Sequence, residues 1–361
     1  MTFSKNTLWA MLAAVILTTI ACTKGDEKPE SAYASGVFII CEGPFGSGTG
    51  TMSYYNRVDS TRGDIYGAAN SGAAIGNILQ SYTVHNDVGY LLANNANKMI
   101  TVDPKTFVTT ATYTTEFILP RYAIGVDASR VYVSSWGDKG VDGTIKLFDV
   151  GSKKVSRTIQ TGKGTNKMIL VGGKIWAVND GGFGEDSTVV IVNTINNADT
   201  LKPTKIQVGL APKDIVADNN GNIWVLCAGY DFSLAQDKKA SKLIQIREEK
   251  VVATFENLPS GANSLALDNS KTTLYFLAGK KVYAKDPANF DKKDPSVFLE
   301  NAAFVKLYGL GIDPRTGYLY VADAKGFTTG GEVYVFDPAT KTMKLNIKTG
   351  VGVAPNGFYF N

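Results

Sequence analysis

An aromatic residue that recurs inside short apolar runs is the feature that most constrains how this chain can fold. The recurring positions are Phe38, Tyr90, Tyr132, Trp176, Trp224, Tyr275 and Tyr320, with successive gaps of 52, 42, 44, 48, 51 and 45 residues. A period of roughly 40 to 50 residues with four strands per unit is typical of the blades of a β-propeller. Because there are seven such positions, the sequence predicts an all-β fold, a seven-bladed β-propeller.

The last unit, residues 308–350, shows the strand pattern of a blade most clearly. Alternating side chains from Tyr318 to Asp323 and from Glu332 to Phe336 predict two strands, and a turn at Asp337-Pro338-Ala339-Thr340 leads to an outer strand. Pro and Gly fall in the turns, whereas β-branched and aromatic residues fall in the runs. One such unit cannot bury both faces of its sheet, so it requires neighbouring copies of itself.

The two ends of the repeat predict how the ring closes. The first unit starts near Gly36 at a second strand, and residues 351–361 suffice for one strand after the last unit. Phe358 and Phe360 alternate there, so one face of that strand can pack inward. We therefore expect the C-terminal strand to join the N-terminal blade, which removes exposed sheet edges. Residues 36–361 are predicted to form this single closed domain, which we expect to be monomeric.

The first residues carry export signals. Lys5 precedes an apolar run from Leu8 to Ala21 that is shorter than a membrane-spanning helix of about 20 residues and typical of a signal peptide. The sequence Thr19-Ile20-Ala21-Cys22 resembles a bacterial lipobox, which predicts a signal peptide over residues 1–21 and a lipid on Cys22; ordinary secretion is the alternative. Residues 22–35 are mostly polar and predict a flexible tether. The predicted location is the outer membrane, with the protein lipid-anchored, surface-exposed and touching the membrane only through its lipid.

Charge, cysteine and histidine content exclude several functional classes. The formal net charge is +4, and no run is basic enough to indicate nucleic-acid binding. Cys41 and Cys227 fall in distant blades, so we expect both to be buried and free, and they are too few for a structural zinc site. His85 is the only histidine and falls in a turn opposite to the predicted site. We therefore predict no histidine-based metal site, no cofactor and no catalytic residue.

The candidate site lies where the loops between second and third strands share a face with the starts of the innermost strands. Exposed aromatics in loops need a reason, because loops have no core to fill. We predict a shallow platform for a flat, amide-bearing ligand, or, as the alternative, aromatics that fold back to plug their own blades or the channel. The candidate ligand-binding residues are Phe45, Asn95, Arg121, Tyr122, Trp136, Phe183, Tyr230, Phe232 and Phe327.

Several segments resemble a known family. The unit LYVADAKGFTTGGEVYVFDPATKTMKL is similar to the YVTN-type repeat of YncE-like propellers. Cys41-Glu42-Gly43, Ser53-Tyr54-Tyr55 and Pro120-Arg121-Tyr122 resemble elements of the surface-layer-type propeller lipoproteins of Bacteroidetes. That group includes cobalamin-capturing, BtuG-like members that pass their ligand to a TonB-dependent outer-membrane transporter. The resemblance therefore implies a non-catalytic cell-surface lipoprotein that captures a corrinoid, although a fold alone does not fix a function.

Two other functions remain open from the sequence. One is a protein-interaction propeller that acts as an accessory subunit of a nutrient importer. The other is a calcium-dependent hydrolase or lactonase, for which carboxylates are available at Glu42, Asp180, Asp186, Asp231 and Asp323. We regard the hydrolase as the less favoured, because the spacing of these carboxylates gives it no independent support.

Overall fold

Seven four-stranded antiparallel sheets form the blades of the predicted propeller. The computed structural model describes residues 33–195, 202–230, 239–289 and 295–361. The predicted signal peptide, the lipidation site Cys22 and the candidate residue Phe232 lie outside these ranges. Within the described residues, no helix has the length and apolarity needed to cross a bilayer.

The strands follow the chain blade by blade. The first four blades contain β1 (Val37–Cys41), β2 (Thr51–Tyr55) and β3 (Thr61–Arg62); β4 (Leu79–His85), β5 (Val88–Ala93), β6 (Lys98–Val102) and β7 (Thr109–Tyr113); β8 (Pro120–Asp127), β9 (Arg130–Ser135), β10 (Thr144–Asp149) and β11 (Lys154–Gln160); β12 (Thr165–Val171), β13 (Lys174–Asn179), β14 (Thr188–Asn193) and β15 (Thr204–Gln207). Among the described residues the one α-helix is α1 (Ile65–Ala69), which follows β3, and a 3-10 turn spans Asp138–Gly140.

The remaining strands complete the ring. They are β16 (Pro212–Ala217), β17 (Ile223–Cys227), β18 (Ser241–Arg247) and β19 (Lys250–Leu258); β20 (Asn263–Leu267), β21 (Leu274–Ala278), β22 (Lys281–Lys285) and β23 (Ser296–Glu300); β24 (Leu307–Ile312), β25 (Leu319–Asp323), β26 (Glu332–Asp337) and β27 (Thr342–Ile347); and β28 (Pro355–Phe360). A second 3-10 turn spans Pro287–Asn289. β28 pairs with β1, so the predicted closure by the C-terminal strand is confirmed.

The recurring aromatics explain why neighbouring blades adhere. Each of the seven lies in the second strand of its blade, and each belongs to a different buried cluster between that blade and the next. Trp224, for example, is fully buried against Leu265 and Phe276 of the following blade. Removing such a side chain costs about 3–5 kcal/mol. The period in the sequence is therefore the period of the inter-blade cores.

Blade one is reinforced where the chain enters it. The Tyr33 ring packs edge-on against Tyr54, with centroids 5.0 Å apart, and against Phe107 at 5.7 Å. Asn361 Nδ2 donates to the Tyr33 carbonyl at 2.6 Å, and Arg315 donates to Ser35 Oγ at 2.7 Å. Tyr33 to Ser35 fall in the stretch for which the sequence predicted a tether, yet they pack on the propeller.

Candidate ligand-binding site at the channel mouth

A cavity of about 410 Å³ lies at one end of the central channel, where the innermost strands begin. Residues from all seven innermost strands line it, together with Glu42, Trp136, Asp180 and Tyr230 from the adjoining loops. Its volume falls within the range of about 300–1,000 Å³ that is usual for small-molecule sites. It is therefore large enough for a ligand or for one substituent of a larger ligand.

A β-bulge at the start of every innermost strand shapes this cavity. In all seven blades the pairing between the innermost and second strands slips by one residue at this point. Bulges re-aim side chains and are common beside functional sites. The residues at the slips, all of which line the cavity, are Gln80, Arg121, Tyr122, Asn166, Lys167, Lys213, Ser264, Tyr308 and Asn356.

Left-handed backbone conformations repeat just before these bulges. Ile78, Leu119, Ala211 and Ala354 have φ values of 59°, 49°, 51° and 53°, and each directly precedes the first residue of an innermost strand. Gly164, with φ of 63°, holds the same position before β12. A non-glycine residue in this conformation costs about 1–2 kcal/mol. Strain repeated at the same place in several blades indicates that the geometry of the mouth is maintained at some expense of stability.

The charges around the cavity balance. The lining carboxylates are Glu42, Asp180 and Asp214, and the lining cations are Arg121, Lys167 and Lys213. Two ion pairs form among them: Lys167 Nζ lies 2.7 Å from Asp214, and Lys213 Nζ lies 3.3 Å from Asp180. Burial acts to lower the pKa of Lys167, but the Asp214 carboxylate outweighs it and holds that pKa above its usual value. Glu42 and Arg121 belong to no ion pair among the described residues.

Glu42 is a carboxyl group held within the wall by neutral donors. Tyr308 Oη donates to Glu42 Oε2 at 2.9 Å, and Asn356 Nδ2 donates to Oε1 at 2.9 Å. Burial raises the pKa of Glu42, and the Asn356 and Tyr308 hydrogen bonds and the charge of Arg121 only partly oppose this. Burial, together with the Glu42 carboxylate, also raises the pKa of Tyr308 well above its usual value. A buried carboxyl group with a raised pKa in a cleft is typical of functional sites.

Arg121 forms the base of an aromatic stack that leads out of the cavity. Its Nε donates to Asn166 Oδ1 at 3.0 Å, and its guanidinium carbon lies 4.1 Å from the centre of the Trp136 ring. Trp136 in turn meets Phe183 edge-on, with centroids 5.3 Å apart, and Phe183 is 54% exposed. The other guanidinium N–H groups of Arg121 have no protein acceptor in the described part of the chain. The stack (Arg121, Trp136 and Phe183) thus combines unused donors with an accessible aromatic ring.

Five of the predicted site residues lie in or beside the cavity wall. Arg121, Tyr122, Trp136 and Tyr230 line the cavity, and Phe183 adjoins them through its contact with Trp136.

Three further predicted residues that the structure describes, Phe327, Asn95 and Phe45, lie apart from the cavity wall. Phe327 packs edge-on against the lining residue Tyr308 at 5.0 Å. Asn95 instead donates to Asn77 at 3.1 Å. Phe45 is 78% exposed and does not line the cavity. The aromatic residues of the predicted shallow platform therefore form a stack on one side of the mouth, with Phe45 and Phe327 apart from it.

Sequence reasoning placed Glu42 in a loop of the binding face and among possible calcium ligands. It placed Asp214, Tyr308 and Asn356 on the same rim as polar groups, but it did not include any of the four among the candidate ligand-binding residues. The bulges that bring them together have no strong sequence signature. One signal was present, because Pro120, Pro212 and Pro355 each begin an innermost strand. Proline in a sheet is confined to strand starts, edges and bulges.

Four of the carboxylates considered for calcium, Glu42, Asp180, Asp186 and Asp323, accept hydrogen bonds from protein donors. The fifth, Asp231, lies outside the described residues. Asp323 accepts from the backbone N–H groups of Val305, Lys306 and Lys325, and Asp180 accepts from Asn166 Nδ2 at 2.6 Å. Across the described ranges, no three His, Cys, Asp or Glu side chains come together as a metal site would require. His85 bonds the Asp127 carbonyl at 2.8 Å, and Cys41 and Cys227 are buried and free as predicted.

A sequence family described as a domain of unknown function, DUF5074, matches residues 35–361. No curated protein sequence matches the chain. Solved structures that resemble it include a quinonprotein alcohol dehydrogenase-like protein from Bacteroides thetaiotaomicron (14% identity, TM-score 0.65, covering 91% of this chain and 78% of that one). Another is the periplasmic gluconolactonase of Pseudomonas aeruginosa (12%, 0.66, 90% and 98%). A third is the hydrazine synthase of Kuenenia stuttgartiensis (12%, 0.61, 84% and 92%). At these identities the likeness concerns the fold alone.

Proposed function

This chain belongs to the DUF5074 family, and from that premise we propose that it is a non-catalytic binding protein whose ligand docks at the channel mouth. The specific ligand we propose is a corrinoid, captured at the cell surface and passed to a TonB-dependent outer-membrane transporter. In this proposal the lipid on Cys22 provides the anchor. The observation that carries the proposal is the stack of Arg121, Trp136 and Phe183 beside a cavity with balanced charges.

The stack supports a flat ligand. Phe183 presents an exposed ring at the rim, and its partner Trp136 forms part of the cavity wall. Aromatic faces attract flat apolar surfaces, and such contacts are worth about 0.5–1.5 kcal/mol beyond the area they bury. A corrin ring is flat, apolar on its faces and bordered by amides. It would lie over Phe183 while its border groups reach the polar cavity.

Size limits how such a ligand can bind. A cavity of about 410 Å³ is close to the lower end of the usual range, so a corrinoid would rest across the mouth and insert only one peripheral group. This arrangement needs both parts of the site. The stack would supply contact area, and the bulged residues would supply selectivity.

Calorimetric titration with cyanocobalamin tests the proposal. The protein is the chain from Ser31 onward, which contains every described residue. We expect saturable one-to-one binding that is lost when Trp136→Ala and Phe183→Ala are combined. Val58→Ala is the matched control, since Val58 is 79% exposed and lies in the loop between β2 and β3, away from the cavity. A flat titration of the folded wild-type protein would refute corrinoid capture, and hydrolysis of a sugar lactone would refute the non-catalytic assignment.

An accessory role in a nutrient importer is the second candidate, and exposed apolar side chains around the mouth favour it. Phe45 is 78% exposed, Phe183 54% and Val305 48%. Scattered exposed apolar residues are common, but aromatic residues are enriched where proteins meet. If binding to a purified transporter depends on Phe45 whereas cyanocobalamin does not bind, the second candidate replaces the first.

A further inference from the structure

We propose that the group which enters the cavity is uncharged and both donates and accepts hydrogen bonds, as a primary carboxamide or a pair of hydroxyls does. The inference rests on the proposed function only in placing a ligand at the channel mouth. It names the chemistry that the mouth selects, whichever molecule carries that chemistry.

The balance of charge excludes a strong preference for either sign. An anionic group would approach Arg121 favourably, but it would also meet Glu42, Asp180 and Asp214. A cationic group would meet the three lining cations in the same way. Lys167 and Lys213 are already neutralised by Asp214 and Asp180. Because a charge that enters a cavity loses hydration, it must find a net opposite charge there, and this cavity offers none.

Unused donors remain on Arg121 in the cavity wall. The guanidinium of Arg121 has five N–H groups, and only Nε–H has an acceptor among the described residues. The ring of Trp136 and the Asn166 side chain hold the group in place. It is therefore a preorganised donor for a neutral oxygen.

Unused acceptors also line or adjoin the cavity. Asn356 Nδ2 lies 2.9 Å from Glu42 Oε1 and 3.2 Å from the Gln80 carbonyl, and this fixes the amide so that Oδ1 has no partner among the described residues. The side-chain oxygens of Gln80 and Asn263 are likewise buried with no hydrogen-bond partner in the described part of the chain. Glu42 has further lone pairs beyond those that Tyr308 and Asn356 use. A ligand group that donates would therefore use the remaining lone pairs of Glu42. The oxygens of Asn356, Gln80 and Asn263 lie just behind the cavity surface and favour a donor there electrostatically.

The test uses four probes of nearly equal size: propionamide, propane-1,2-diol, propionate and propylammonium. Binding to the chain from Ser31 onward is followed by the NMR signal of the Trp136 indole, assigned by its loss in Trp136→Phe. We expect propionamide or the diol to shift this signal at tens of millimolar, with the charged probes at least tenfold weaker. Whichever neutral probe binds more tightly identifies the source of the chemistry. Equal or tighter binding of a charged probe, or no shift from either neutral probe, would overturn the inference.

Charge-altering variants make the test sharper. Glu42→Gln leaves the mouth with a net positive charge, so the ratio of propionate to propionamide affinity should rise at least tenfold. Arg121→Gln should raise the affinity for propylammonium in the same way. Glu300→Gln is the matched control, because Glu300 is exposed on the outer strand β23 and pairs with Lys281. If a variant loses affinity equally for all four probes, the substituted residue has a purely structural role, which would contradict the inference.

The cyanocobalamin titration, run in parallel, separates the two ideas. Corrinoid binding without selectivity for neutral probes would refute this inference and leave the proposed function standing. Selectivity for neutral probes together with a flat corrinoid titration would refute corrinoid capture and leave this inference standing.

Discussion

Two arginines, Arg57 at the end of the propeller away from the mouth and Arg121 at the mouth, differ in how many of their donors the protein uses. Arg57 Nε and Nη2 donate to the two oxygens of Asp313, at 2.8 and 3.1 Å, and Nη1 donates to the Asn361 carbonyl at 2.7 Å. Asp313 is fully buried. Arg121, at the mouth, makes one hydrogen bond and one ring contact among the described residues.

The difference distinguishes a structural charge from one available to a ligand. Burial alone would raise the pKa of Asp313, but the hydrogen bonds from Arg57 and from the Arg315 N–H hold it below its usual value. Glu42, at the mouth, has neutral donors instead, and its pKa is raised. We infer that the Arg57–Asp313 pair stabilises the closed ring. At the mouth, by contrast, Arg121 and Glu42 retain donors and acceptors that a ligand can use.

Deleting residues 355–361 should produce the largest effect. The deletion removes β28, which pairs with β1, and the contacts of Phe358 and Phe360 with Tyr320. It also removes the Asn361 carbonyl, which accepts a hydrogen bond from Arg57. Since total stabilities are about 5–15 kcal/mol, we expect loss of cooperative thermal unfolding by circular dichroism and rapid proteolysis. Removal of Asn361 alone is the control and should leave a folded protein. Cooperative unfolding near the parental temperature would show that closure is dispensable.

Arg57→Ala should cause the second-largest loss of stability. It leaves the Asp313 carboxylate buried without its partner, which costs about 3–5 kcal/mol of unfolding free energy. Urea denaturation at neutral pH measures it. Arg62→Ala, on the exposed end of β3, is the control and should change stability by less than about 0.5 kcal/mol.

The Arg57 effect should depend on pH with a definite sign. The pKa of Asp313 is lowered from 3.8, so the pair stabilises the fold above that pH and stops doing so as pH falls through the lowered value. The difference between wild type and Arg57→Ala should therefore shrink in acid. A constant difference would mean that Arg57 acts through Asn361 rather than through Asp313.

Arg121→Ala should weaken ligand binding more than it lowers stability, in contrast to Arg57→Ala. It removes one hydrogen bond and one cation–π contact, so the unfolding free energy should fall by about 1–2 kcal/mol. Loss of a charged donor to the ligand should weaken binding by about 1.5–3 kcal/mol, which is roughly 10- to 100-fold. Calorimetry on the variant and on folded Arg57→Ala tests the contrast. If Arg121→Ala and Arg57→Ala lose the same affinity for the ligand, then Arg121 has no special role in binding.

Glu42→Gln should have the smallest effect, and it should be favourable. Because the fold raises the pKa of Glu42 above 4.5, protonation of Glu42 is more favourable in the native state than in the unfolded state. The stability gained in this way is fully present below pH 4.5 and is lost as pH rises through the raised value. Glu42→Gln should therefore be more stable than wild type at neutral pH and equal to it in acid, as urea denaturation across pH would show. Destabilisation at neutral pH would mean that the charged form is required.

The sequence predicted the blades well because their cores obey a local rule. Phe38, Trp176, Tyr320 and their equivalents mark strands whose side chains are buried between blades, and a large aromatic residue inside an apolar strand pattern favours burial. The closing strand was predictable for the same reason, since Phe358 and Phe360 alternate.

The site was only partly predictable because loop directions depend on distant contacts. Phe183 adjoins Trp136 because its backbone N–H bonds Gly140 and its ring lies where a Cβ of Gly140 would come within 2.2 Å. Phe45 has no such support and points away into solvent. The position of Glu42 relative to Arg121 depends on bulges in different blades, which the sequence does not specify.

The attachment of Tyr33 to Asn361 also keeps the first described residues clear of the mouth. β28 has six residues, about 20 Å at 3.3 Å per residue. Its first residues line the cavity, whereas Tyr33 bonds the residue after its last. Tyr33 therefore lies at the end of the propeller away from the mouth, so the packing of Tyr33 to Ser35 leaves the cavity unobstructed.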